Sequence, residues 1–443
     1  MNSSKDPIIQ SLNPADYLTL AMDEEIRQEN MPGSLCGFAL VLDSLPDVIQ
    51  LTARISEFTE QFPLALASLQ QQGDRFHWCQ RTQPFSIFFQ HKCADPESAG
   101  TFQQTTLLTL LNQQQPRETL APLEFHLISD PNNTVFLLRW IHPFCDAKGA
   151  DLILKYLCTE DKAQRTQFDL PKSESLVNVH LAKYKWWQKI ALFLKAKRYI
   201  TRLDSYHSIQ HADLSHPPKQ LNCITHTFSA EQSGVIAQQV RSNVGLTGTS
   251  LYYIGCLIRA LHGLAPEQAG DAYCVPYAFN LRKQNVRTPL LGNHIGTLFA
   301  QAPKTVIANR IALFTHLKQQ NKETIQQQLD YAFLPIMWAA SWLSLKKYGS
   351  ELRVSHGDGS ERSSVWFSDI GQAEFVARSF FGADVVGLRH LCQISSPPGI
   401  ALLVCQYRQQ LTLSYNFIEP LFNEAQIEQL HQLMSQELLG AAS

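Results

Sequence analysis

Two apolar runs, Leu123–Ile128 and Thr134–Ile141, flank the turn Asp130-Pro-Asn-Asn133, and Pro143 follows two residues after the second run. Turn residues between two β-rich runs predict an antiparallel hairpin. Proline has no amide hydrogen to give to a ladder, so the second strand should stop at or just after His142. Beyond it, Gly149-Ala-Asp-Leu-Ile-Leu-Lys-Tyr-Leu157 has helical character, and upstream Gly37–Asp43 reads as a buried strand followed by a helix over Val48–Leu69 that ends in a Gln-rich turn. Strand, tight turn and helix thus meet around residues 141–149.

The same alternation continues downstream. Ser229-Ala-Glu-Gln232 and Asn423-Glu-Ala-Gln426 have the spacing of capping boxes that open helices. Strand-like runs lie at 272–278, 363–370, 399–405 and 411–417. Both halves are therefore α/β, and the polar stretch 160–218, closed by Ser215-His-Pro-Pro218, predicts a connection between them. With 37 Lys+Arg against 39 Asp+Glu in 443 residues, the net charge of −2 argues against a nucleic-acid binder relying on a broad basic surface. The polar start, Met1 to Pro7, predicts no secretory signal, and ten scattered cysteines without a Cys-x-x-Cys pair predict a reducing, cytoplasmic setting and no zinc site.

The segment Arg139-Trp-Ile-His142-Pro-Phe-Cys-Asp146-Ala-Lys-Gly149 carries the chemistry. A strand end is a rigid place from which to project a base, and an imidazole with a pKa near ~6.5 can accept a proton at neutral pH. The residues alone leave two readings for each position: His142 as a base or a satisfied strand-end residue, and Asp146 as an active-site acid or a helix cap. His207, His211 and His216 have partly metal-like spacing, but no acid or cysteine completes a set, so no metal is expected. The Gly-rich stretch 355–360 reads as a turn too short for a calcium loop. Walker, dinucleotide and Gly-x-Ser-x-Gly motifs are absent, which counts against a kinase, a dehydrogenase and a serine hydrolase.

His-x-x-x-Asp after a hydrophobic strand resembles the active-site motif of the CoA-dependent acyltransferase superfamily with the chloramphenicol acetyltransferase fold, which includes condensation domains and wax ester synthase/diacylglycerol acyltransferases. Three further segments resemble that superfamily in the same order: Leu12-Asn-Pro-Ala-Asp16, Val275-Pro-Tyr-Ala-Phe-Asn280-Leu-Arg282 with Leu291-Gly-Asn293, and Phe367-Ser368-Asp-Ile-Gly371. The resemblance implies an α/β (α+β) fold of two lobes, each a mixed sheet with packed helices, with an active-site tunnel between them. It divides the chain into an N-terminal lobe over 1–175, an interlobe connection with a basic Trp-containing helix over 176–220, and a C-terminal lobe over 221–443.

By the same resemblance, His142 is the general base of an acyl transfer to a hydroxyl or amine. Asp146 is a structural acid paired with Arg282, Gly149 supports the turn, and Asn280, Asn293 and Ser368 are substrate-binding candidates. No cofactor is implied; an acyl-CoA or acyl-carrier thioester is the co-substrate, so a carrier protein is a candidate partner. Here Ile141 precedes the histidine, Ala147 follows the acid, and 245–250 departs from the wax-ester pattern. Those departures leave the branch and its substrate open, with a stand-alone condensation-type enzyme and a catalytically degenerate binding protein as alternatives.

Two segments point to lipid. Tyr184–Arg198 combines paired tryptophans with basic residues and no acid, and on a helix Trp187, Ile190 and Leu194 share a face. Tyr331–Leu345 is uncharged, contains Trp338 and Trp342, and is closed by Lys346-Lys347; it is too short to span a bilayer and suits a buried or interfacial helix. Both read equally as core packing or as peripheral contact with the inner membrane face, and they favour a lipid-like acceptor or donor.

Overall fold

A computed structural model describes residues 6–93, 99–166, 168, 175–245, 248–282, 291–353, 361–373, 375 and 377–440. The turn read at 355–360 lies outside them. Contacts group the chain into two compact units whose sequences interleave: 1–177, 281–294 and 372–393 form the first, and 178–280, 295–371 and 394–443 the second. A linear division at residues 175 and 220 does not carry this interleaving.

The first unit is built on a six-stranded sheet in which Ala383–Cys392, Leu35–Leu42, Thr134–Ile141 and Leu123–Ser129 are successive antiparallel neighbours, with Phe88–Lys92 parallel at one edge. The hairpin forms as its residues require. Asp130 accepts from the amides of Asn132 and Asn133 at 2.8 and 3.0 Å, an Asx turn that reverses the chain and sets Leu127 opposite Phe136. All eight residues of Thr134–Ile141 are buried, because helices cover both faces. Phe58 of the helix Val48–Gln61 and Tyr156 of the helix Ala147–Cys158 pack edge-on at 5.4 Å, and Phe58 also meets Phe125 of the sheet. On the opposite face, Arg139 reaches the carbonyl of Leu110 in the helix Ala99–Leu111 and pairs with Glu124. A three-stranded sheet, Ile8–Ser11 with Arg75–Cys79 and Ser68–Gln72, completes the unit.

The helix read over Val48–Leu69 is shorter than expected. It stops at Gln61, a single 3₁₀ turn follows at Pro63–Leu66, and Ser68–Gln72 pairs as a strand. Pro63 is the cause: its ring and missing amide are incompatible with continuing the helix, and they push Phe62 out of the helical region.

The second unit has its own six-stranded sheet, ordered Ile295–Pro303, Ala272–Asn280, Trp366–Gln372, Ile400–Tyr407, Gln410–Glu419 and Gln220–Thr227. Both capping boxes form as read, at Ser229/Gln232 and Asn423/Gln426. The buried helix Thr249–Leu264 packs against Glu424–Leu439, and Tyr252 donates to the Leu438 carbonyl at 2.8 Å. The helix Trp186–Leu203 turns Leu192, Ala196, Tyr199 and Leu203 onto Leu298 and Leu329. The uncharged stretch 331–345 is broken rather than one helix. Pro335 starts a new turn, giving Leu329–Ala332, Leu334–Ala340 and Leu345–Arg353. Among the described residues, no single helix is long and apolar enough to cross a membrane.

Candidate active site

The strand Thr134–Ile141 ends one residue before His142, whose amide donates to the Ser34 carbonyl at 2.9 Å. Pro143 then turns the chain, as its missing donor dictates. Of residues 141–146 only His142 keeps appreciable exposure; the others are buried.

The orientation of the His142 ring is fixed by a chain of hydrogen bonds within the first unit. Asn293 Nδ2 donates to the His142 carbonyl at 2.9 Å and to Asp16 Oδ1 at 3.0 Å. Those two acceptors settle which end of the Asn293 amide carries hydrogen, so its Oδ1, 3.0 Å from His142 Nδ1, accepts. The proton of the neutral imidazole therefore sits on Nδ1, and Nε2 carries a free lone pair. Burial lowers the His142 pKa below the ordinary imidazole range, an effect only partly offset by its own carbonyl, Asp146 and Asn293. The ring is neutral at neutral pH, as a base requires.

Asp16 anchors the chain of bonds. It closes the capping box of the helix Pro14–Gln28 through the Asn13 amide at 3.0 Å and also accepts from the Asn293 amide at 2.8 Å. Its desolvation outweighs these hydrogen bonds and pushes its carboxyl up to about 7. The Asn13-x-x-Asp16 spacing carries the capping signal; nothing local in it points to Asn293.

Asp146 holds a second, separate network. One oxygen accepts from the Gly149 amide at 2.8 Å and caps the helix Ala147–Cys158, which begins two residues before the glycine expected to lead into it. The other accepts from Arg282 at 2.7 Å and from the His294 amide at 2.8 Å. Asp146 thus caps the helix with one oxygen and pairs with Arg282 through the other. Both side chains of the Arg282 pair are 3 % exposed. Desolvation alone would raise the Asp146 carboxyl; the Arg282 guanidinium, helped by the hydrogen bonds, overrides it and brings the group down to about 2. His294, itself buried and close to Arg282, is pushed down to about 4 and stays neutral beside the pair.

Backbone bonds hold Arg282 and Asn293 close together: the Leu281 amide donates to the His294 carbonyl at 2.8 Å, and the Gly292 amide donates to the Phe144 carbonyl at 2.8 Å. Gly292 has φ +86°, a left-handed conformation open to glycine at no steric cost. Of the sequence-predicted residues, His142, Asp146, Gly149, Arg282 and Asn293 are thus linked in one place. Asn280 and Ser368 belong to the second unit: Asn280 is exposed at the end of its strand opposite Ile295, and Ser368 is partly buried on Trp366–Gln372. Next to Ser368, Asp369 accepts from Ser250 at 2.8 Å. Cys145, beside Asp146, is fully buried and its thiol is raised well above its ordinary pKa, so it supplies no thiolate nucleophile. His211 faces the Tyr273 hydroxyl at 2.9 Å, and among the described residues no group of His, Cys, Asp and Glu is arranged to hold a metal ion.

A pH titration follows from the Asp146 pair. Its folded pKa lies below the ordinary carboxylate value of 3.8, so its stabilisation is fully present above pH 3.8 and is lost as the pH falls toward about 2. The difference in unfolding free energy between the wild type and Asp146→Asn should therefore narrow across that window. A gap that stays constant would mean that the carboxylate charge is not what Arg282 holds.

No family model matches the sequence, and no curated protein matches it. Solved structures do match, and they define the fold as that of the CoA-dependent acyltransferases and condensation domains. The trichothecene 15-O-acetyltransferase TRI3 from Fusarium sporotrichioides superposes with a TM-score of 0.69 at 10 % identity, over 97 % of this chain and 95 % of that one. Polyketide synthase associated protein 5 from Mycobacterium tuberculosis gives 0.65 at 12 % identity, over 99 % and 100 %. A double mutant of the starter condensation domain of rhizomide synthetase, in complex with C8-CoA and Leu-SNAC, gives 0.66 at 13 % identity, over 98 % and 94 %.

Proposed function

We propose that the chain is an acyltransferase that moves an acyl group from an acyl-CoA thioester to a hydroxyl or amine, with His142 as general base and a lipid-like molecule as one substrate. The observation that carries this reading is the buried His142 at the end of the Asp16–Asn293–His142 chain of bonds: burial keeps the imidazole neutral, and the chain puts its lone pair on Nε2. In the reaction, Nε2 takes the proton from the acceptor as its oxygen or nitrogen attacks the thioester carbonyl carbon. The tetrahedral intermediate collapses with cleavage of the C–S bond, and the imidazolium returns the proton to the departing thiolate. No covalent acyl-enzyme is required, in keeping with the inert Cys145. Asp146 and Arg282 hold the turn and take no part in proton transfer; Asn280 and Ser368 are offered as substrate contacts.

The pH dependence tests the base. The acidic limb of kcat/KM should fall below the ordinary imidazole value of ~6.5, because the group that must be unprotonated in free enzyme is one whose pKa burial has lowered. A limb at or above that value would assign the essential base elsewhere. The likeness in fold to a condensation domain, solved with C8-CoA and Leu-SNAC, keeps a second reading in view, a stand-alone condensation-type enzyme that uses a carrier-bound donor. Octanoyl-CoA and octanoyl-acyl carrier protein, compared as donors, separate the two. The ten cysteines, seven of them buried, are compatible with a reducing, cytoplasmic setting, which we take as part of the proposal.

A further inference from the structure

The helix Trp186–Leu203 has two apolar faces, and only one of them is used by the core. Leu192, Ala196, Tyr199 and Leu203 are buried, whereas Trp187, Ile190, Phe193 and Leu194 remain 40–51 % exposed and Trp186 70 % exposed. Exposed apolar side chains scattered singly need no explanation, but these are contiguous. Ile190 and Phe193 line an open groove of about 420 Å³ whose other wall is Pro335, Trp338 and Ala339 of the helix Leu334–Ala340. Trp338 lies 6.3 Å from Trp342, and Trp186 lies 5.8 Å from Trp187. Four of the seven tryptophans of the chain therefore belong to one exposed face, at 47–70 % exposure.

The two stretches that build this face carry positive charge, and the acids nearest them are Asp330, which acts on Tyr184 and His180, and Glu323, which pairs with Arg202 at the far end of the helix. No acidic residue occurs from Ser175 to Leu203, a stretch with seven Lys and Arg, and 331–345 carries no charge before Lys346-Lys347. Lys189 stands in the groove wall itself, and Lys185 lies over the Trp187 ring at 5.0 Å. Lysine is depleted at protein–protein interfaces, whereas tryptophan flanked by lysine is the composition of segments seated at the headgroup boundary of a bilayer. Long lysine stems let the aromatic rings enter the acyl region while the ammonium groups stay at the phosphates.

We propose that this face, formed by the helices Trp186–Leu203 and Leu334–Ala340, docks the protein on the surface of an anionic lipid bilayer. The inference rests on exposure and charge in the second unit alone, so it stands or falls independently of the acyltransferase reading.

The test is flotation of the full chain with vesicles of phosphatidylglycerol and phosphatidylcholine, beside vesicles of phosphatidylcholine only. Binding is expected to the first, to weaken with added salt, and to be accompanied by quenching of tryptophan fluorescence when brominated lipids are used. The variant Trp186→Ser/Trp187→Ser/Trp338→Ser, whose side chains are all exposed and whose folding is checked by circular dichroism, should lose binding by about tenfold or more. Lys189→Glu/Lys197→Glu should lose it selectively at low salt. The proposal is overturned if the wild type does not float with phosphatidylglycerol vesicles, or if the tryptophan variant binds like the wild type. It is overturned equally if sedimentation shows a dimer that the same variants dissolve, since the face would then bury a second copy.

Discussion

Replacing His142 by alanine is expected to slow acyl transfer by about 10²- to 10⁴-fold without unfolding the protein, the range removed when a positioned general base is lost. The substitution leaves the framework in place. The His142 amide still bonds Ser34, its carbonyl still accepts from Asn293, and Asn293 still holds Asp16. Only the ring and its 3.0 Å contact with the Asn293 oxygen disappear. The expected outcome is therefore a wild-type circular dichroism spectrum and thermal midpoint together with a collapse in turnover. A variant that unfolds would make His142 a structural residue, and one that keeps its rate would remove it from the chemistry.

Replacing Arg282 by alanine acts in the opposite manner, on stability before rate. The guanidinium and the Asp146 carboxylate are both 3 % exposed, so truncation strands a buried charge that retains only the backbone donors of Gly149 and His294. Loss of one partner of such a pair costs about 3–5 kcal/mol. Denaturant unfolding should show that loss, and Asp146→Asn combined with Arg282→Met should recover part of it, since no charge is then left unpaired and an oxygen remains to accept from the Gly149 amide. A cost below about 1 kcal/mol for Arg282→Ala would place the pair among exposed salt bridges, against its burial.

These two predictions rest on parts of the site that differed in how far they could be read from the sequence. His142 and the hairpin before it were visible because the signals are local: an Asx turn at Asp130, an apolar strand, and Pro143 to end it. The Arg282–Asp146 pair came from resemblance, not from spacing, since 136 residues separate the partners. In the sequence Asp16 stands out only as part of an opening motif. Its contact with Asn293 spans 277 positions, and its evident local job, closing a capping box, hides the other one. Interleaving of the two units was likewise out of reach. Ala383–Cys392 pairs with Leu35–Leu42 through a register that no periodicity announces, and 281–294 groups with the first unit although the residues on either side group with the second. Two helix limits are set by prolines that apolar periodicity overruns: Pro63 shortens one helix and Pro335 divides another.

The paired tryptophans show a different limit. Helical spacing put Trp187, Ile190 and Leu194 on one face, but periodicity cannot say which of two apolar faces the core takes. Packing against Leu298 and Leu329 claims the face carrying Leu192, Ala196 and Tyr199, and leaves the aromatic one outward.

The central claim is that a neutral His142 drives transfer from a thioester, and product analysis tests it most directly. The wild type is incubated with a series of acyl-CoA esters and a panel of long-chain alcohols, amines and glycerolipids, with His142→Ala in parallel, and the products are weighed by mass spectrometry. The account predicts an acceptor heavier by one acyl residue, formed in step with free CoA by the wild type and not by the variant. Intact CoA esters with every acceptor, or the same product in equal yield from both proteins, would contradict it.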